Sequence, residues 1–251
     1  MRPAILAAAM LAAFAPCQPV TAAELSFSAG LGPKVSPEYF GSDDYKVGPT
    51  GSFSFQHLRI GKLEFGDPDP NAQNFGLHPR GSFRFISARR DDDHAELGGM
   101  DDIDATVELG GGLGYRSQNV LAFADLRYGF GGHRSFVAEV GADAILRPTP
   151  RLTITAGPRA LWGAEDYAQT YFGVSGAEAA ASAFPAYDAG AGLVSAGLEI
   201  GAAWDLGNDW GLESTIAWER LTGDAADSPL VQSRDGYSLS MVLTRRISLR
   251  W

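Results

Sequence analysis

The strongest constraint on this chain is a two-residue beat in its hydrophobicity. Ile103, Ala105, Val107, Leu109, Leu113 and Tyr115 alternate with Asp104, Thr106, Glu108, Gly110, Gly112 and Gly114. Successive strand side chains point to opposite faces, so this segment has one apolar face and one polar or tiny face. The beat returns down to the last residue, where Leu239, Met241, Leu243, Ile247, Leu249 and Trp251 fall in phase. Beyond the first 23 residues no stretch is long and apolar enough for a spanning helix. A long series of such strands needs an apolar exterior and a wet or polar interior. A transmembrane antiparallel up-and-down β-barrel supplies both.

Composition alone does not decide, because 45% hydrophobic residues suit a soluble protein as well as a barrel whose lipid face takes every second residue. The 31 glycines, many inside strand-like segments, favour close backbone packing and barrel curvature over an ordinary sandwich. Arg2, the apolar run over 5–15, Pro19 and the small residues Thr21, Ala22 and Ala23 read as a secretory signal peptide, with cleavage expected after Ala23. Cys17, the single cysteine, lies inside it, and Pro16 before it fits a lipoprotein processing site poorly. The mature chain, 24–251, is therefore expected to be one barrel with no thiol, disulfide or cysteine-based metal site. Without Arg2, the remaining 19 basic and 30 acidic residues give a charge of −11. That balance argues against nucleic acid and against a basic patch for anionic lipid, and leaves lipopolysaccharide bridged by divalent cations as a partner for acidic loops.

Strand-like segments cover 25–32, 50–65, 75–87, 102–115, 120–130, 136–146, 152–162, 187–205, 210–221 and 237–251. Residues 33–49 are rich in Pro, Gly and Asp and read as a loop. Connections after Tyr115, Arg147 and Asp205 are short, and those after Ser87, Trp162 and Leu221 are long, which assigns the short ones to the periplasm. About ten strands result if 50–65 is one bent strand with its turn near His57. About twelve result if 50–65 is a hairpin and 167–174 adds a strand; ten is preferred. Trp162, Trp204, Trp210, Trp218, Tyr115, Tyr128 and Tyr237 crowd strand ends, as aromatic girdles do at the headgroup zone.

Strand phase also sorts the charges. Arg80, Arg84, Asp104, Glu108, Asp125, Arg127, Glu139, Asp143, Arg147, Arg159, Glu199 and Glu213 fall opposite the apolar face, toward the lumen. Acids and arginines there are expected to pair across strands and fill a small barrel, in preference to forming a selectivity ring. Arg245 falls on the apolar face, tolerable near an interface and costly at mid-membrane.

Three loop motifs carry a resemblance. They are Tyr39-Phe40-Gly41-Ser42-Asp43-Asp44-Tyr45 after Pro37-Glu38, Tyr171-Phe172-Gly173-Val174-Ser175, and Gly223-Asp224-Ala225-Ala226-Asp227-Ser228-Pro229-Leu230 after Arg220-Leu221-Thr222. With the acidic-then-glycine strand at 102–115, the chain resembles the MipA/OmpV family of outer-membrane proteins. The terminal Trp251 departs from the family's usual Phe. The resemblance implies a location in the cell outer membrane, in contact with its lipid. It also implies a scaffold joining a murein transglycosylase to a murein synthase, or a part in osmotic adaptation, adhesion or solute passage. Gly41, Gly173 and Gly223 read as backbone-shaping, with Asp and Ser beside them bonding local amides, rather than as catalytic.

No cofactor site is legible. Gly110-Gly111-Gly112-Leu113-Gly114 lies inside a strand with no helix after it. Asp91-Asp92-Asp93-His94 reads as a solvated loop, because three consecutive acids converge poorly on one ion. His133-Arg134-Ser135 places His and Ser on one strand face and is similar to the pair in barrel lipid A deacylases, with Asp125 or Glu139 as an acidic partner. An exposed loop histidine is the preferred reading, and the chain is expected to be non-enzymatic, acting as a scaffold or a narrow pore.

Overall fold

The computed structural model describes residues 23–66 and 75–251, so the expected signal peptide lies almost entirely outside the described residues. Eleven strands form a single curled antiparallel sheet: β1 (Glu24–Pro37), β2 (Tyr45–Ile60), β3 (Leu63–Gly66), β4 (Gly76–Ile86), β5 (Thr106–Arg116), β6 (Val120–Phe130), β7 (Phe136–Thr149), β8 (Leu152–Gly163), β9 (Gly192–Gly207), β10 (Trp210–Leu221) and β11 (Asp235–Arg250). Neighbours in sequence are neighbours in the sheet from β4 to β11. β11 then pairs with β1, Glu24 opposite Arg250, and β2 and β3 follow. Ala23 N–H also donates to the Trp251 carbonyl at 2.8 Å. The sheet ends on β3 and β4, and among the described residues no ladder joins β2 or β3 to β4.

Every strand except β3 has at least 11 residues, which makes ten long strands plus a four-residue stub. Residues 50–65 are a hairpin rather than the preferred single bent strand: β2 pairs antiparallel with β3 across a turn at Gly61 and Lys62, which adds the eleventh strand. The twelve-strand count fails because α1 (Glu165–Phe172) occupies the segment that would have been its extra strand. The loop expected over 33–49 shrinks to 38–44, since β1 and β2 continue through Pro33 and Pro49, which stand opposite each other. The β1–β11 ladder skips Pro33, as a residue lacking an N–H requires. Pro49 and Pro79 lie in β2 and β4, beside the two ends of the sheet, where proline is tolerated.

The beat in the sequence becomes the two faces of the wall. Leu109 stands between Phe83 and Tyr128 on the outside, Glu108 between Arg84 and Gly129 on the inside. Outward side chains such as Leu31, Val47, Phe53, Leu77 and Leu113 are more than 60% exposed, a surface that only lipid can cover. Trp204, Trp210, Tyr115 and Trp251 ring the end with the short turns, and Trp162, Trp218 and Tyr237 ring the other. Arg245 lies outside, its guanidinium 5.2 Å from the Trp210 ring centre, at the short-turn interface. The β9–β10 turn holds Asn208 and Asp209 at positive φ, the tight hairpin form that twisted strands accept.

The long connections fold back over the other mouth. α1 starts with Glu165 and Asp166, favourable at a helix N-terminus, and buries Tyr167, Ala168, Tyr171 and Phe172 on one side. α2 (Gly176–Ala181) opens on a capping box, Ser175 with Glu178, and α3 (Gly223–Asp227) buries Ala225 and Ala226. Together with Ile103, Val137, Leu161 and Leu221 these side chains form an apolar core inside the long-loop end of the barrel.

Candidate functional site

The lumen wall carries an ion-pair lattice beneath that core. Glu108 is fully buried and receives three donors: Arg127 Nε at 2.9 Å, Arg84 Nη2 at 3.2 Å and His133 Nε2 at 3.2 Å. Arg127 also reaches Glu139 at 2.8 Å and the Ser82 hydroxyl at 3.1 Å. Arg80 lies 3.2 Å from Asp125, and Arg159 bridges Asp143 at 2.9 Å and Glu199 at 2.8 Å. Small residues opposite make the room: a Cβ on Gly110 or Gly112 would collide with the β6 backbone. Buried charges are tolerated only when paired and hydrogen-bonded, and cross-strand spacing provides the pairing here.

Nine of the twelve expected lumen charges belong to this lattice: Arg80, Arg84, Glu108, Asp125, Arg127, Glu139, Asp143, Arg159 and Glu199. Glu213 faces inward by register but stands apart from it. Arg147 is exposed near the short β7–β8 turn, where it donates to the Gln118 carbonyl at 2.6 Å. Asp104 corrects the expectation. The beat begins three residues before the strand does, so Asp104 lies in the loop ahead of β5 and pairs with Arg90 at 3.4 Å. Ile103 correspondingly packs in the cap rather than facing lipid.

The three loop motifs converge on one another. Phe40 packs against Tyr167, Tyr171 and Phe172, with the Tyr171 ring centre 5.0 Å away. The Gly41 carbonyl accepts from the Gln232 and Ser233 amides at 2.8 and 2.9 Å. Gly41 has φ +89 and a Cβ there would meet Val231, so both conformation and space demand glycine. Gly173 has an ordinary φ of −73 and needs glycine for room only, against Gln169. Asp224 accepts from Gly190 N–H at 2.9 Å, and Asp227 from Arg234 at 2.8 Å. Asp44 closes a local turn with Ser42, and the Tyr45 hydroxyl accepts from Tyr237 N–H at 3.2 Å, while Asp43 is exposed. Pro229 lies between Ser228 and Leu230, both buried in the cap.

Lattice and cap meet at Tyr167, whose hydroxyl accepts from Arg84 Nη2 at 2.7 Å while its ring packs on His133. Burial holds the Tyr167 phenol above its ordinary pKa, so it stays neutral. Sequence reasoning missed this junction. The cap helices had a readable signal in Ser175-Gly176-Ala177-Glu178, but nothing local marks Tyr167 as a lumen residue. His133 is fully buried rather than exposed. Its Nε2 is committed to Glu108, its Nδ1 has no partner, and Ser135 forms no side-chain hydrogen bond with it. The arrangement lacks the base-to-hydroxyl bond that nucleophilic attack needs. His94 bonds Glu38 at 3.0 Å, which ties the Asp91–Asp93 turn to the first loop motif.

Beside the lattice, on the wall formed by β1, β2, β10 and β11, lies a cavity of about 680 Å³. Lys34, Lys46, Arg84, Glu199 and Glu219 contribute to its lining. Below it, toward the short-turn end, the inward side chains of Val242, Thr244, Asp143 and Ile145 are buried.

An apolar exterior, aromatic rings at both ends and a charged interior identify an outer-membrane barrel. The chain is similar in fold to DcaP, an outer membrane channel of Acinetobacter baumannii (10% identity, 92% of this chain and 99% of that chain, TM-score 0.38). It is likewise similar to an outer membrane channel from Pseudomonas putida F1 (11% identity, 95% and 100%, TM-score 0.45). The MltA-interacting protein of Escherichia coli K12 is 34% identical over 80 residues, 32% of this chain. The match spans 32% of that relative's length. The family of MltA-interacting protein MipA matches residues 29–247, nearly the whole described barrel, and the chain belongs to that family.

Proposed function

We propose that this outer-membrane barrel is a non-enzymatic scaffold whose periplasmic rim holds a murein transglycosylase, the MltA for which its relatives are named. Export through cleavage of residues 1–23 accords with that site of action. The observation that carries the reading is how much of the lumen is occupied: lattice and cap take up the long-loop half beside the cavity, and Val242, Thr244 and Ile145 are buried in the half below. A barrel so filled serves as an anchor rather than a wide channel.

The periplasmic end offers Arg59, Arg116, Arg147, Arg151, Arg246 and Arg250, while the described acids there are Glu24, Glu64, Asp205 and Asp209. Short turns limit the contact area, so charge has to supply much of the orientation and on-rate. The fitting partner presents an acidic face, and a murein synthase would join through the transglycosylase. The test is capture of purified MltA by the detergent-solubilised barrel at low salt. Arg116→Glu with Arg151→Glu should weaken capture, and equal capture by the wild type and this variant would refute the docking surface.

A narrow pore is the second reading, favoured by the cavity of about 680 Å³ with its mixed charges. It requires ion current across a planar bilayer, altered by replacing Arg84, Arg127 or Glu108. Lipid at the barrel wall, and lipopolysaccharide bridged by divalent cations to the acidic loops, complete the proposed surroundings.

A further inference from the structure

The cavity, toward the long-loop end, is bordered by the two strands between which the described wall is not laced together. Its lining includes Lys46, Gly48 and Thr50 on β2 as well as Arg84 and Phe85 on β4. Among the described residues no hydrogen-bonded ladder joins these two strands. The seam is open as well as unlaced. Gly48 and Gly81, one on each side, have no atom within 4 Å of the position a Cβ would take. On the outside the two edges present apolar side chains, with Val47 72%, Phe53 67% and Phe83 59% exposed.

Inside, the chemistry reverses. Lys34 and Lys46 both face the lumen, as diagonal neighbours in the β1–β2 ladder, Lys34 opposite Gly48 and Lys46 opposite Ser36. Neither forms an ion pair or hydrogen bond within the described residues, whereas Arg84 and Arg159 are committed to Glu108, Asp143 and Glu199. The acids of the lining are largely spoken for too: Glu139 by Arg127, Glu199 by Arg159 and Glu38 by His94. The unpaired charges of the lining on these strands are therefore two lysines against one acid, Glu219 on β10, whose charge is felt at Lys34, so the balance is positive.

We propose that the β2–β4 seam is a lateral portal and that the cavity binds the head of a single-chain anionic amphiphile arriving from the outer leaflet. Its carboxylate sits between Lys34 and Lys46, and its alkyl chain lies in the seam against Val47, Phe53 and Phe83. An amphiphile of this shape covers the backbone edges and apolar side chains that flank the opening while pairing the two lysines. The carboxylate gains charge-assisted bonds from both lysines.

The test uses the full barrel in lipid nanodiscs and a dansyl-tagged undecanoate as probe, with protein-free nanodiscs as background. Saturable binding above background is expected. Lys34→Ala with Lys46→Ala should weaken it about tenfold or more, as should the methyl ester of the probe, while Lys34→Arg retains it. Both lysines line open space, so these changes leave the fold standing, which gel mobility of the unheated barrel checks. Gly81→Trp fills the seam from the lipid side and should slow association about tenfold when the probe is preloaded in the bilayer. No saturable binding, or binding indifferent to the lysines or to the ester, overturns the site. An unchanged association rate in Gly81→Trp overturns the lateral route.

Discussion

The Ser228 hydroxyl donates to the Phe172 carbonyl at 2.6 Å, fastening the third loop motif to the second inside a buried cap. The same oxygen accepts from Leu230 N–H at 3.3 Å, so a single hydroxyl satisfies two backbone groups. Ser228→Ala leaves both without it, at a cost of about 1–3 kcal/mol. The loss should fall on the cap and spare the wall. Faster protease nicking within 222–234, with no change in the heat-induced gel shift of the barrel, is the expected result. Unchanged nicking would show that the bond holds nothing in place.

Glu108→Gln tests the lattice. The substitution keeps shape but removes the negative charge among Arg84, Arg127 and His133, two of which are nearly or fully buried. Breaking a buried pair from one side costs about 3–5 kcal/mol, because the remaining charge has no way back to water. The temperature at which the folded band converts to the unfolded band should drop clearly. The change Asp104→Asn, in the exposed pair with Arg90, should leave that temperature where it was.

Acid should loosen α2 before it touches the barrel. Burial pushes the Glu178 carboxyl up, but bonds from the Ser175 and Asp101 amides and the Ser175 hydroxyl outweigh it and hold the pKa below the usual value. A depressed folded pKa means the contribution is complete above the ordinary Glu value of about 4.3 and fades as pH falls through the folded value. The protection factor of the amides in 175–182, taken against the unstructured exchange rate at each pH from pH 6 to pH 3 (about one unit per step), should fall at the acid end and stay level in Glu178→Gln. Equal acid sensitivity in that variant would remove Glu178 as the cause.

Much of this wall was legible because membrane strands obey a strict alternation. Leu109 and Glu108 can only face opposite ways, and the pairing of Glu108 with Arg127 across β5 and β6 follows once phase is known. What alternation cannot reveal is where a strand starts, so Asp104 was placed on a wall it does not reach. Proline misled in the other direction. Pro33 and Pro49 read as loop by propensity, yet they fit strands that run beside a broken ladder and an unlaced edge. The cap was hidden for a different reason. Phe40, Tyr171 and Ser228 are far apart in sequence and meet only through tertiary packing, which no local pattern encodes.

Two buried side chains low in the lumen yield the last prediction. Ile145 is 1% and Val242 5% exposed although both sit on the inward face, which in an open channel would be wetted. Both stand nearer the short-turn end than any cavity residue of their own strands, Glu139 on β7 and Ser238 on β11. The wild-type barrel in a planar bilayer should therefore pass little ion current. Ile145→Ala with Val242→Ala removes five methyl-sized groups at a cost of about 2–5 kcal/mol for the isoleucine, and opens a path from the cavity to the periplasmic mouth. Discrete current steps should appear in the variant, and Arg159→Gln in that background should change their ion preference, since Arg159 stands with Asp143 and Glu199 at the cavity floor. A wild type that already conducts as well as the variant would mean the floor does not seal, and the scaffold reading would yield to a pore.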